Sequence, residues 1–354
     1  MSIPISVLDL VQIEKGSNSA QALAESVELA REAEALGYSR YWFAEHHNSI
    51  GLASGAPEIM IAHVANHTSR IRLGSGGVML PNHAPLKIAE VFRLLEALHP
   101  GRIDLGLGRA PGTDQLTAFA LRRSEHALTG DDYPQLLAEL LAFDSHSFPD
   151  DHPFRRIVAT PSDVPLPPIW LLGSSGFSAQ LAAQVGLGFS FASHINRSIA
   201  AQALRAYREQ FTRSDTHPEP RAMLAVGVVV GETQEHAEQL MRILQIGFSD
   251  LVAGRPYQMP RLDEALQQTP DPLELQRAQG FLGNWFVGTA ESVAAEVRAL
   301  AEESQADEVM ITTALPNQED RMRTVRGLAK EWGMPAPALH DQNVVTPLTG
   351  SMTE

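Results

Sequence analysis

Cysteine is absent from the 354 residues, which excludes disulfides, thiolate zinc sites, iron–sulfur clusters and cysteine nucleophiles together. Basic residues are outnumbered: 27 Lys and Arg stand against 42 Asp and Glu, a formal net charge of −15. That sign argues against nucleic-acid partners, whose phosphates call for clustered cations. No window approaches the roughly 18 uninterrupted apolar residues of a membrane span. The opening MSIPISVLDL has no basic stretch followed by a long apolar core, so no secretory signal is read there and a cytoplasmic protein is expected. Walker and G-x-S-x-G motifs are missing as well.

What is present is an alternation. Hydrophobic residues make up 44% and charged ones 19%, enough apolar material for a sizeable core. Eight short runs, at 3–10, 38–44, 71–80, 102–107, 168–172, 188–192, 222–230 and 307–313, are nearly continuous in hydrophobicity, as strands buried on both faces should be. Helical periodicity falls between them at 20–36, 58–67, 86–98, 178–185, 199–211, 293–303 and 319–331. Eight strands alternating with helices predict a parallel α/β sheet closed into a (β/α)8 TIM barrel, with a doubly wound open sheet as the alternative. One domain is expected over 1–335, followed by a polar tail at 336–354. Two stretches interrupt the repeat: about 144–167, rich in Pro and Asp after the fourth strand, and 247–284, containing GRPYQMP before the last βα unit. Long connections in compact folds are commonly lids or binding loops, and the second is the candidate lid.

In a parallel barrel the chemistry lies where strands end. The second run leads into Glu45, His46 and His47. Neighbours on a strand point to opposite sides, so one imidazole faces the mouth while the other turns to the surrounding shell; a structural histidine is the plainer reading of either. Gly74, Gly76 and Gly77 strip the third run of side chains, marking a bulge or a close approach of backbone to ligand. Arg109 follows the fourth run amid small residues, where a guanidinium can reach a phosphate or pair with a barrel carboxylate. The Gly106, Gly108, Gly112 spacing is not a dinucleotide fingerprint. Ser174, Ser175, Gly176 and Ser178 straddle a helix start, either as ordinary caps or as an anion cradle. Asp144, His146, Asp150, Asp151 and His152 form a polar loop rather than a metal site, and no metal is expected.

Five ordered blocks tie these pieces together: WFAEHH; RIRLGSGGVMLPNHAPLKIAE; LHPGRIDLGLGRAPGTD; LGSSGFSAQLAAQVGLGFSFASH; and FVGTAESVAAEV followed by ADEVMITT. From about residue 3 to 332 the chain resembles the bacterial luciferase-like family of flavin monooxygenases. The resemblance implies FMN across the barrel mouth, with its phosphate held by Arg109, Ser175 and Ser178 and by Ser174 and Gly176 nearby. It implies a non-proline cis peptide at Gly76–Gly77 beneath the isoalloxazine, and His46 as the active-site histidine, expected to titrate near neutrality. Asn82 and His83 fall on the loop toward the mouth. The implied reaction oxygenates a small organic substrate with O2 and reduced FMN delivered by a separate flavin reductase, in a homodimer. A deazaflavin hydride-transfer enzyme, a non-catalytic FMN-binding protein and a metal-dependent barrel hydrolase are the rival readings. The missing cysteine sets the chain apart from luciferase itself.

Overall fold

The computed structural model describes residues 3–123, 132–214 and 217–334. The expected tail at 336–354 lies outside the described residues. Ten strands run β1 (Ile5–Asp9), β2 (Arg40–Phe43), β3 (Arg72–Ser75), β4 (Val78–Met79), β5 (Ile103–Gly108), β6 (Ile169–Gly173), β7 (Gly188–Ala192), β8 (Ala222–Gly231), β9 (Phe286–Thr289) and β10 (Glu308–Thr312). Every pairing between them is parallel. The order β10-β1-β2-β3-β5-β6-β7-β8 closes through β8–β10 into a barrel of eight. β4 carries the line of β3 onward beside the end of β5, and β9 extends the far end of β8.

The helices are α1 (Ser19–Leu36), α2 (Pro57–Ala65), α3 (Pro85–Leu98), α4 (Gln115–Arg122), α5 (Tyr133–Ser145), α6 (Gly176–Val185), α7 (Ala200–Glu209), α8 (Gln234–Val252), α9 (Leu262–Gln267), α10 (Pro272–Leu282), α11 (Ala290–Ser304) and α12 (Gln318–Glu331). Local chemistry sets their ends. Asn18 accepts from the Gln21 amide at 3.0 Å to start α1, and Gly37 at φ 88° stops it, a left-handed turn open to glycine without strain. The main core lies between barrel and helices, where one strand face meets each helix stripe. A smaller cluster fills the barrel itself: Leu8, Trp42, Trp170, Met223, Ala225 and Met310.

Below that cluster the barrel is charged. Arg40 joins Asp104 at 2.8 Å and Glu308 at 2.9 Å, Arg72 joins Asp104 at 2.6 Å, and the Ser6 hydroxyl donates to Glu308. Buried charges persist only when paired and hydrogen-bonded, and each of these four has a partner. The network plugs the end of the barrel opposite the strand C-termini.

The sequence expectations need several corrections. The third run is two strands, β3 and β4, with a cis Gly76–Gly77 peptide between them. The supposed insertion at 247–284 begins inside α8, whose apolar stripe Leu240, Ile243 and Leu244 packs with α10 and Trp285; its later part is α9 and α10. α4 and α5 were also unforeseen, and β9 is a ninth run. In the first insertion Phe148 packs edge-on against Phe143 at 4.8 Å, and Asp144 pairs with buried Arg93 at 2.9 Å. Among the described residues no three potential ligands gather around a metal position, and no helix is long and apolar enough to cross a membrane.

Candidate active site

The mouth of the barrel gathers the loops after β2, β3, β5, β6 and β7. Arg109 leaves β5 exposed, with no carboxylate partner among the described residues. Its guanidinium lies over the Phe177 ring at 4.7 Å. A stacked guanidinium keeps its in-plane N–H groups free for an anion. Phe177, otherwise an aromatic ring 44% exposed to solvent, is therefore the platform that brings the β5 loop onto the first turn of α6.

That turn is open for a ligand. Ser175 holds the N-cap position with extended backbone, yet its hydroxyl makes no capping bond. The first amides of α6 are thus left to a partner from outside, at the positive end of the helix. Gly176 is exposed, and Ser178, inside the first turn rather than before it, is buried against Gly173. The Asn196 amide reaches the Ser174 carbonyl at 3.4 Å and ties this loop to the one after β7. Arg109, Ser174, Ser175, Gly176 and Ser178 are thereby brought together.

Gly76 and Gly77 stand one layer deeper. A Cβ on Gly77 would meet the Gly106 carbonyl oxygen at 2.8 Å as well as the end of Leu172, and one on Gly76 would press on Leu8 and Trp42. Ser75 locks the corner, its hydroxyl donating to the Gly106 carbonyl at 2.8 Å and accepting the Gly106 amide at 3.0 Å. The glycines are bare because backbone and core side chains occupy the space. A valine at Gly77 is accordingly expected to disturb the barrel wall itself, and not merely to displace a ligand.

The end of β2 divides its three polar residues between two faces. Glu45 is buried and accepts from His47 Nε2 at 2.8 Å, His83 Nε2 at 3.0 Å, the Met79 amide at 2.9 Å and Asn82 at 3.3 Å. Burial pushes its carboxyl up, but His83, His47 and the Met79 amide outweigh this and leave it below the ordinary value. His83 is shifted up by the same pairing despite its burial. Glu45 thus clamps β4, directly after the Gly76–Gly77 corner, to β2. His46 faces the other way: its Nδ1 is buried without a partner among the described residues. Burial drives its pKa down to about 4, with the Glu45 charge pulling up only in part. The expected poise near neutrality is not met; at neutral pH this is an uncharged hydrogen-bonding ring.

Two mouth residues escaped the sequence reading. His194, just past β7, sits half-buried with Nδ1 at 3.5 Å from the Ala225 carbonyl, and its pKa is also pushed to about 4, chiefly by burial. Trp285 lies against the bare face of Gly227 and closes the β8 side. Trp285 has no local motif, and His194 closes the block LGSSGFSAQLAAQVGLGFSFASH without being singled out there. Of the other aromatics, Phe189 packs outward on Tyr207 at 5.5 Å and Trp170 belongs to the barrel filling beneath the mouth. The candidate lid touches the loops after β1 and β2: Tyr257 accepts the Gly51 amide at 3.1 Å through its carbonyl, and Lys15 pairs with Glu264 at 3.0 Å.

The closed parallel barrel thus carries Arg109 and the uncapped start of α6 on neighbouring loops of its mouth. Comparison with known proteins narrows the class: the profile of the luciferase-like monooxygenase family matches residues 3–308, and the chain belongs to that family. It is 41% identical over 325 residues to a luciferase-like monooxygenase of Escherichia coli strain K12, covering 91% of this chain and 95% of that one. It is 35% identical to N-acetyl-S-alkylcysteine monooxygenase of Bacillus subtilis strain 168, covering 90% and 95%. The solved structure of apo-MsnO8 superposes with a TM-score of 0.85 at 35% identity, over 95% of this chain and 99% of that one.

Proposed function

We propose that this chain is an FMN-dependent monooxygenase that oxygenates a small organic substrate with O2, and that its FMN arrives already reduced from a separate flavin reductase. The carrying observation is Arg109, without a carboxylate partner among the described residues and held by Phe177 beside the uncapped first turn of α6. A phosphate satisfies both at once, through charge-assisted bonds from the guanidinium and amides and hydroxyls from 174–178. The residues present fit the cofactor: the cradle takes the phosphate, and His46 keeps a buried ring nitrogen without a partner among the described residues. FMN when bound supplies the electrons and the activation of O2. The chain orients it, excludes water beneath the Tyr257 segment, and holds a neutral imidazole at His46 to donate or accept one hydrogen bond. The lack of a dinucleotide fingerprint supports a separate source of reducing equivalents. Exposed Ile59, Leu94 and Leu98 on α2 and α3, at 66%, 54% and 59% exposure, support a homodimer through those helices.

Titration with FMN and with riboflavin tests the reading. FMN is expected to bind far more tightly than riboflavin, and Arg109→Ala to lose about 1.5–3 kcal/mol of FMN affinity, the value of a hydrogen bond to a charged group. Equal binding of the two flavins, or an Arg109→Ala variant with unchanged FMN affinity, sinks it. Uptake of a deazaflavin without O2 consumption transfers the site to hydride chemistry.

A further inference from the structure

β2 and β7 stand across the barrel from one another, separated by β3, β5 and β6 on one side. Trp42 and Ala44 of β2 belong to the interior cluster and Phe189 and Phe191 of β7 to the outer core, so alternation turns the histidines that follow, His46 and His194, inward toward one another. Neither ring has a strong partner at Nδ1 among the described residues. His46 Nδ1 is buried and unpartnered among the described residues, and His194 Nδ1 reaches the Ala225 carbonyl only at 3.5 Å, beyond a good hydrogen bond. Ala225 belongs to the interior cluster, so His194 stands directly above the barrel filling. Thr312 adds a third group. It pairs in register with Leu8, another interior side chain, and its hydroxyl is buried with no partner among the described residues. Buried polar atoms are ordinarily paired, and two orphans beside a weakly held imidazole call for a ligand that completes them.

The charges nearby are already committed. Arg40, Arg72, Asp104 and Glu308 neutralise one another below. Glu45 is engaged with His47 and His83 on the opposite face, and Arg109 is given to the phosphate in the reading above. A carboxylate or ammonium placed between the two imidazoles would lose its hydration without gaining a counterion. Leu8, Leu10, Trp42 and Leu172 supply the apolar surround.

We infer that His194 is a second substrate-facing residue of this site, and that it and His46 hold from opposite sides one uncharged polar group, a ketone, ester or amide oxygen, of an otherwise apolar substrate. Thr312 offers the same group a third hydrogen bond from below. This deepens the monooxygenase reading above and rests on it.

The experiment uses the full chain loaded with oxidised FMN, after FMN binding has been measured separately for each variant. Three probes share one carbon frame: a straight-chain methyl ketone, the primary amide and the carboxylate. Binding is read by calorimetry and by perturbation of the bound-flavin spectrum. In the wild type the ketone and amide are expected to bind at least about tenfold more tightly than the carboxylate, since burying an unpaired charge costs more than a neutral dipole. His194→Ala is expected to weaken ketone binding about fivefold, the value of one ordinary hydrogen bond, at unchanged FMN affinity and melting temperature. His194→Asn, which restores a neutral donor, should recover part of the loss. Carboxylate binding equal to ketone binding, no ketone binding to the wild type, or a His194→Ala variant with wild-type ketone affinity each overturns the inference. Failure of the wild type to bind FMN falls instead on the cofactor assignment, and the same probes on cofactor-free protein still report on His194.

Discussion

Two consecutive histidines end the same strand and meet opposite environments. His47 lies with His83 against a buried carboxylate, where each gains a partner and His83 is shifted toward its charged form. His46, one residue earlier, is buried with an unpartnered nitrogen and driven to the neutral form, as is His194 across the mouth. The shell face spends its polar groups on holding the wall; the mouth face leaves its own unspent. Unpaired polarity is costly in a fold that has nothing to gain from it, so the contrast separates scaffolding from candidate chemistry more sharply than residue type does.

The largest effect that would test this contrast is on turnover. His46→Ala is expected to lower oxygenation by about 10²–10³-fold, the cost of removing one preorganised hydrogen-bonding group, and to leak hydrogen peroxide while FMN affinity holds. Stopped-flow oxidation of bound reduced flavin measures both. A loss of that size in His47→Ala, with His46→Ala silent, reverses the roles of the two rings.

A smaller effect belongs to the clamp. Glu45→Ala strands two imidazoles and an amide, and should cost about 3 kcal/mol of stability, as breaking a buried pair does; urea unfolding gives the value. His47→Ala should cost only about 1 kcal/mol, since Glu45 keeps His83 and the Met79 amide.

The smallest and most diagnostic effect is on pH dependence. The stability contributed by keeping His46 and His194 neutral is complete above their unfolded value of 6.5 and is lost as pH falls toward about 4. His83 works in the opposite sense: its contribution is complete below 6.5 and is lost as pH rises through its raised folded value. That of Glu45 is complete above 4.5 and is lost as pH falls through its lowered one. Melting temperature followed across pH should therefore decline on acidification below 6.5, with the decline shallower in His46→Asn, whereas Glu45→Gln should remove the alkaline decline. Identical profiles in the three proteins would erase the distinction between the faces.

The barrel was legible because its evidence is local. Val-rich runs such as AVGVVV in β8 are strands wherever they fall, and Gly37 ends α1 by its own backbone freedom. α8 had a legible signal too, Thr233 as cap and an apolar stripe behind it, yet the expected helices pass over it entirely and GRPYQMP drew its end into a supposed loop. Arg109 was singled out by small neighbours at a strand end. His194 and Trp285 could not be: what makes them mouth residues is β7 standing opposite β2 and Gly227 leaving room on β8, and neither relation is written within a short window. Nor does Glu45 advertise its four donors, which come from His47 and from residues 79–83 on another loop.

The plug of Arg40, Arg72, Asp104 and Glu308 has a kinetic meaning. With that end of the barrel filled by mutually bound charges and by Trp42 and Trp170 above them, nothing the size of a flavin or its substrate passes through. On the proposed function, cofactor, substrate and product all enter and leave by the mouth, so the last to enter is the first that can leave. A queue of that kind makes the order of arrival part of the catalyst: a substrate that slips in ahead of the flavin blocks it, and excess substrate should inhibit competitively with respect to reduced FMN.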